Sequence, residues 1–256
     1  MDTKTVKNIE DSKYFYSKTY PIKYYEMDFN KALKPSALMN FLQDMATENA
    51  EMLGFGPSFV FPRNYAWFLI KYHMEFDDYP QALDDIIIKT ESRGISKIIA
   101  NRDFEIWSPD NKKRLGRIVS QWMMINLTTK NIIALSQFLD LIPAFEKREN
   151  DLQYNKILPP EKANSEKTFE IRFDDIDVNQ HVNNANYIVW AFETLSYEFK
   201  AEHKLKTLDI VYKKEIAYGH NIISSINLDE ENKTSTHVLK NATTGEELCF
   251  VKAVWA

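Results

Sequence analysis

One order of elements occurs twice along this chain of 256 residues: a short polar turn, a long apolar stretch at helical spacing, then a series of strand-forming runs. In the second half the turn reads DVNQHVNN, residues 177–184. After it, Ala185, Ile188, Val189, Phe192, Leu195 and Phe199 recur on one helical face. Tyr187, Trp190 and Ala191 fill much of the remaining circumference, which predicts a helix buried on most sides. In the first half Pro35 suits a first helical position and Gly54 the position just past a helix end. Leu38, Phe41, Leu42, Met45, Met52 and Leu53 lie between them as the matching stripe. Three local registers align the halves. Asp28 pairs with Asp177 at a separation of 149, YHMEF (72–76) with YKKEI (212–216) at 140, and 115–122 with 248–255 at 133. A separation that shrinks along the chain places the longer connections in the first copy.

The runs after each helix are rich in β-branched and aromatic residues. They cover 66–76, 86–91, 95–107 and 115–128 in the first half, and 208–216, 222–228, 234–240 and 248–255 in the second. Residues 108–111 (SPDN) and 241–245 read as hairpin turns. Consecutive strands with tight turns imply antiparallel sheet, and the one apolar helix of each half must be buried against it. The chain is therefore read as α+β, with long antiparallel sheets each wrapped around a central helix. The expected division is a first domain at 12–146, a polar linker at 147–167 containing Pro159 and Pro160, and a second domain at 168–256.

Composition narrows the function classes. A net charge of -5 argues against nucleic acid as the main partner, because phosphate binding needs a concentrated basic face. Cys249 is the only cysteine, so no internal disulfide can form and a reducing, cytoplasmic setting is expected. The stretch from Met1 to Lys13 is polar and mixed in charge, unlike a signal peptide, and no apolar run suits a membrane span. His73, His181, His203, His220 and His237 lack zinc-type spacing, and there is no glycine-rich phosphate loop and no GxSxG elbow. Neither metal nor cofactor is expected.

Asp177, Asn179 and His181 stand at i, i+2 and i+4 just before the apolar helix. In an extended or turning segment that spacing gathers a carboxylate, an amide and an imidazole on one side. They sit near a helix start whose free N–H groups can receive an oxyanion. The competing reading is a plain helix cap or Asx-turn. Against it, Asn183 and Asn184 are adequate caps by themselves, and the first half has Asp28, Asn30 and Ala32 at the same register, without the imidazole. That contrast favours one active half and one that has become a wall of the substrate pocket.

The run DIDVNQHVNNANYIVWAFET, with YKKEI downstream and FLQDMA in the first helix, resembles the acyl-acyl carrier protein thioesterases, the oleoyl-carrier-protein hydrolase family. The resemblance covers both halves and implies tandem double hot-dog domains with the catalytic residues in the second. Carried over position by position, these are Asp177, Asn179, His181 and Glu215, with Glu75 read as the first-half counterpart of Glu215. Plant members commonly have a cysteine directly after the glutamate; here the position is Ile216, which cannot be a nucleophile. The implied reaction is attack of water on a fatty acyl thioester. Glu215 is the expected general base, Asn179 and His181 position the reactants, and Asp177 orients them; which of Glu215 and His181 takes the proton stays open. The backbone amides of Val182, Asn183 and Asn184 are the expected oxyanion donors. Expected pocket walls are Met39, Phe41, Leu42, Met45, Trp67 and Phe68. The implied partner is an acyl carrier protein bearing a phosphopantetheine-linked acyl chain, docked through Lys213 and Lys214 or the 112–114 cluster. Two other readings stay open: a thioesterase acting on acyl-coenzyme A, and a non-catalytic acyl-binding regulator. A monomer and a homodimer are both compatible with two hot-dogs in one chain.

Overall fold

The computed structural model describes residues 9–80, 84–160 and 162–256; most of the polar N-terminal stretch lies outside them. Ten antiparallel strands form one sheet whose order is symmetric about its centre. The first half contributes β1 (Phe15–Tyr20), β3 (Ile86–Ser96), β4 (Ile99–Trp107), β5 (Arg114–Asn126) and β2 (Tyr65–Phe76), in that spatial order. The second continues with β7 (Leu205–Tyr212), β10 (Glu247–Trp255), β9 (Thr234–Asn241), β8 (Asn221–Asp229) and β6 (Ser165–Glu170). Helix α1 (Pro35–Met52), followed by the single turn α2 (Pro57–Val60), belongs to the first half and α3 (Asn184–Phe192) to the second, and α1 and α3 pack against each other. This is the tandem double hot-dog, with one difference from expectation. The two sheets are joined edge to edge through β2 and β7, which removes an exposed edge from each half.

Local departures have local causes. Strands β1 (FYSKTY) and β6 (SEKTFE) were not expected, because short, lysine-bearing edge strands carry a weak apolar pattern. Strand β6 starts at Ser165, so the second half begins inside the span assigned to the linker. The single helix expected over 185–199 is two. Chain direction changes after Phe192, where Thr194 Oγ1 donates to Ala191 O at 2.6 Å and Ser196 Oγ caps α4 (Tyr197–Glu202) by accepting from Phe199 N–H. The connecting segment is strapped to the sheet. Arg148 makes a bidentate pair with Glu91 at 2.7 Å, Arg93 binds Asp151 at 2.6 Å, and Arg117 Nη2 donates to Asn150 O at 2.6 Å. Among the described residues, no helix is long and apolar enough to cross a membrane.

Strand register corrects one of the three internal alignments. Tyr72 pairs with Ser120 and Leu208 with Ala253. Ser120 and Ala253 differ by the expected 133, so Tyr72 and Leu208 are equivalent and the β2–β7 offset is 136, not 140. The loops agree. Leu33 N–H donates to Pro80 O and Val182 N–H to Ile216 O, both at 3.0 Å; the donors are 149 apart and the acceptors 136. The counterpart of Glu215 is therefore Tyr79. Glu75 instead lies 3.1 Å from His73 Nε2.

The 136 offset also equates His73 with Asp209, which are cross-strand partners of each other. The approximate two-fold axis of the chain thus passes between them. Two identical ionised residues would repel there; a histidine and an aspartate make a buried hydrogen bond of 2.7 Å instead, with Asn155 of the connecting segment donating to the other Asp209 oxygen. Burial alone would lower the His73 pKa, but Asp209 and Glu75 outweigh it and the pKa is raised. Stability from a raised histidine is fully present below the unfolded value near 6.5 and is lost as pH rises through the folded value. We expect the thermal midpoint to fall on going from mildly acidic to alkaline pH, and Asp209→Asn to flatten that slope; unchanged melting curves for the two proteins would refute it.

Candidate active site

The turn at residues 177–181 is a backbone scaffold common to both halves. Asp177 N–H donates to His181 O at 2.8 Å, as Asp28 N–H does to Ala32 O. Gln180 and Lys31 both take a left-handed conformation, φ 66° and 61°. Asn183 N–H reaches Asp175 O at 2.9 Å and Lys34 N–H reaches Glu26 O at 2.8 Å. What differs is the side chains and what covers them. In the first half Asn30 Nδ2 donates to the Lys200 and Ala201 carbonyls at the end of α4, and Phe29 stacks on Tyr197 at 4.8 Å. That turn is held against α4 and partly covered by it. In the second half Val178, the equivalent of Phe29, is 92% exposed and the turn opens outward.

Around the open turn the chemical groups converge. Asp177 Oδ1 accepts from Asn179 N–H at 2.8 Å and Asp177 Oδ2 from Asn179 Nδ2 at 3.3 Å, so the carboxylate fixes the amide and leaves its oxygen outward. His181 Nδ1 lies 3.1 Å from Glu215 Oε2, within ion-pair distance but off the N–H direction, and makes no hydrogen bond. Glu215 sits just beyond β7, rather than within a strand, in a segment held to the turn by the Val182–Ile216 bond. Burial drives the Glu215 carboxyl up to about 7; the Asp177 charge adds to the shift and Lys130, from the first half, opposes it. Burial also holds His181 below its ordinary value, opposed by Asp177 and assisted by Lys130. Near neutrality the pair therefore combines a neutral imidazole with a carboxyl poised between acid and base.

Several expectations change. Val182 and Asn183 spend their N–H groups on Ile216 O and Asp175 O, so neither can serve an oxyanion. Asn184 remains, at the first position of α3, where the helix itself supplies no acceptor. Asn183 is the N-cap, accepting from Ala185 N–H at 2.9 Å. Among the expected pocket walls, Met39, Leu42 and Met45 are fully buried in the core, and Phe41 stacks on Tyr20. Trp67 does line a small cavity, with Ala46, Thr47 and Ala50 of α1; Phe68 is half-buried and does not line it. The lysines expected to dock a partner are locally neutralised: Lys213 by Glu247, Lys214 by Glu246, Lys113 by Asp78 and Arg114 by Asp77. Lys130 and Gln43 went unnoticed in the sequence. Gln43 Oε1 accepts from Asn184 Nδ2 at 3.3 Å and so links α1 to the turn.

The fold defines a double hot-dog protein, and the Asp177, Asn179, His181 and Glu215 side chains gather in its second half. Residues 13–139 match the acyl-ACP thioesterase N-terminal domain and residues 159–256 the acyl-ACP thioesterase C-terminal domain, and the chain belongs to that family. Among relatives, the chloroplastic oleoyl-acyl carrier protein thioesterase of Coriandrum sativum is 26% identical over 93% of this chain and 69% of its own length. The chloroplastic palmitoyl-acyl carrier protein thioesterase of Gossypium hirsutum is 24% identical over 87% and 57%. The chain thus spans about two thirds or less of these relatives' lengths. Solved structures agree in fold: an acyl-ACP thioesterase from Bacteroides thetaiotaomicron (TM-score 0.84, 22% identity, 98% of this chain and 100% of that one) and the 12:0-ACP thioesterase from Umbellularia californica (0.83, 21%, 95% and 97%).

Proposed function

We propose that this chain hydrolyses fatty acyl thioesters of acyl carrier protein, releasing the free fatty acid, by direct attack of water. The observation that carries the reading is Glu215: a carboxyl raised to about 7, 3.1 Å from a neutral imidazole, in a segment bonded to the turn whose Asn179 amide Asp177 fixes. Glu215 takes a proton from a water held by the Asn179 amide oxygen and His181 as the water oxygen bonds to the thioester carbon. The carbonyl oxygen becomes an oxyanion facing the Asn184 amide. Collapse breaks the C–S bond, and the thiolate takes the proton back from Glu215. A thiolate leaves readily, so no stronger nucleophile is needed.

A covalent route has no support. Ile216 stands where a cysteine would be and is buried, and Cys249 is buried in β10 with burial pushing its thiol pKa up. Incubating the protein with acyl carrier protein thioesters should release free acid, and Cys249→Ser should retain nearly full turnover. Loss of turnover in Cys249→Ser, with folding intact, would refute the water mechanism; release from coenzyme A thioesters alone would transfer the activity to the acyl-coenzyme A reading.

A further inference from the structure

Asn184, whose N–H is left for the oxyanion, is held by residues from both halves of the chain. The Tyr212 hydroxyl, at the end of β7, donates to Asn184 O at 3.0 Å. On the other side the Asn184 side chain reaches α1, where Gln43 Oε1 accepts from its Nδ2 at 3.3 Å. Gln43 is itself fixed, because its Nε2 donates to Met39 O of its own helix at 3.4 Å. The Tyr212 ring stands edge-on to Tyr187 of α3, with centroids 5.6 Å apart. Glu215 follows three residues after Tyr212, so one strand end ties down both the base and the helix start.

The first half repeats this backbone without the hydrogen bonds. Lys34 and Asn183, the residues just before α1 and α3, share one conformation: φ −59° and ψ 134° against φ −58° and ψ 133°. The next position is Asn184 in one half and Pro35 in the other, and proline has no N–H to offer. Tyr212 matches Phe76 at the 136 offset of the strands, and Phe76 lacks the hydroxyl; it packs edge-on to Tyr79 at 4.7 Å instead. Gln43 matches Phe192 at the 149 offset of the turns, and Phe192 is buried against Trp255 at 5.0 Å. Proline and two phenylalanines therefore satisfy the packing at these positions. The hydrogen-bonding set is not something the fold itself requires, and it surrounds the one helix start that faces the open turn.

We infer that Gln43 is a positioning residue for the reaction: the first half, through this amide and with Tyr212 opposite, holds Asn184 so that its N–H faces the carbonyl oxygen as it becomes an oxyanion. The inference rests on the proposed thioester hydrolysis and deepens its oxyanion step. A donor of this kind acts on charge that develops only in the transition state, so a small misplacement lowers kcat rather than binding.

The test compares kcat and KM on one acyl carrier protein thioester for Gln43→Met, Tyr212→Phe, Asn184→Ala and the double variant Gln43→Met with Asn184→Ala. Asn184→Ala keeps the backbone N–H and loses only the amide that Gln43 holds. Each single variant should lose roughly 10-fold in kcat with KM changed by less than about two-fold. The double variant should cost no more than either of its parents, since both cut the same link. Asn184→Pro, which copies Pro35 after a residue already in the extended conformation that proline demands, removes the N–H itself and should cost on the order of 10²-fold. Full kcat in Gln43→Met or in Asn184→Pro overturns the inference, and so do additive losses in the double variant. If Gln43→Met does not fold, Asn184→Ala cuts the link from its other end and decides by the same kcat. Should the unaltered protein hydrolyse no thioester, the proposed function fails by itself, and nitrogen relaxation of the Asn184 amide decides the hold. Greater mobility of that N–H in Gln43→Met supports it, and unchanged mobility refutes it.

Discussion

Replacing Glu215 by glutamine is expected to lower kcat on acyl carrier protein thioesters by on the order of 10³-fold while leaving the protein at least as stable. Glutamine keeps the shape of the side chain and loses the ability to accept a proton. The stability side follows from the sign of the shift. A carboxyl raised from 4.5 to about 7 holds its proton more tightly in the folded state. Folding stability therefore falls as pH rises from about 4.5 to about 7, and the deficit persists above that range. The glutamine variant lacks this term, so its thermal midpoint at pH 8 should not lie below that of the unaltered protein. Lost turnover together with an undiminished midpoint separates chemistry from folding. A kcat within a few-fold of the unaltered value would remove Glu215 from the mechanism.

Replacing His181 by alanine should cost on the order of 10²-fold in kcat, again without unfolding. The chain contains its own control for the second half of that statement. Ala32 occupies the equivalent position in the first half, and the turn around it keeps the same 2.8 Å backbone bond and the same left-handed residue. The backbone of this turn thus tolerates alanine, and what disappears is an imidazole 3.1 Å from Glu215. If kcat stays within a few-fold while the circular dichroism spectrum is unchanged, His181 does not act on the reactants.

Much of the architecture was legible because it is local. The apolar stripe from Pro35 to Gly54 and the turn before α3 declare themselves through spacing and through residues suited to helix ends. Less legible features depend on contacts distant in sequence. The similarity of YHMEF to YKKEI paired Glu75 with Glu215, yet hydrogen-bonded register moves the equivalence by four residues, to Tyr79. The oxyanion amides looked free because nothing local reveals that Ile216 O and Asp175 O claim two of them. Helical periodicity placed Met39, Leu42 and Met45 on an inner face, but an inner face does not say which of its residues meets a cavity and which meets the core.

The claim at the centre is that ionised Glu215 activates water at the open turn, and the pH dependence of kcat/KM on an acyl carrier protein thioester tests it most directly. The profile should rise with unit slope at acidic pH, bend near pH 7 and level off above it, as the free carboxyl titrates from about 7. A profile flat from pH 5 to pH 9, or one bending near an ordinary carboxyl value of about 4.3, would contradict the account.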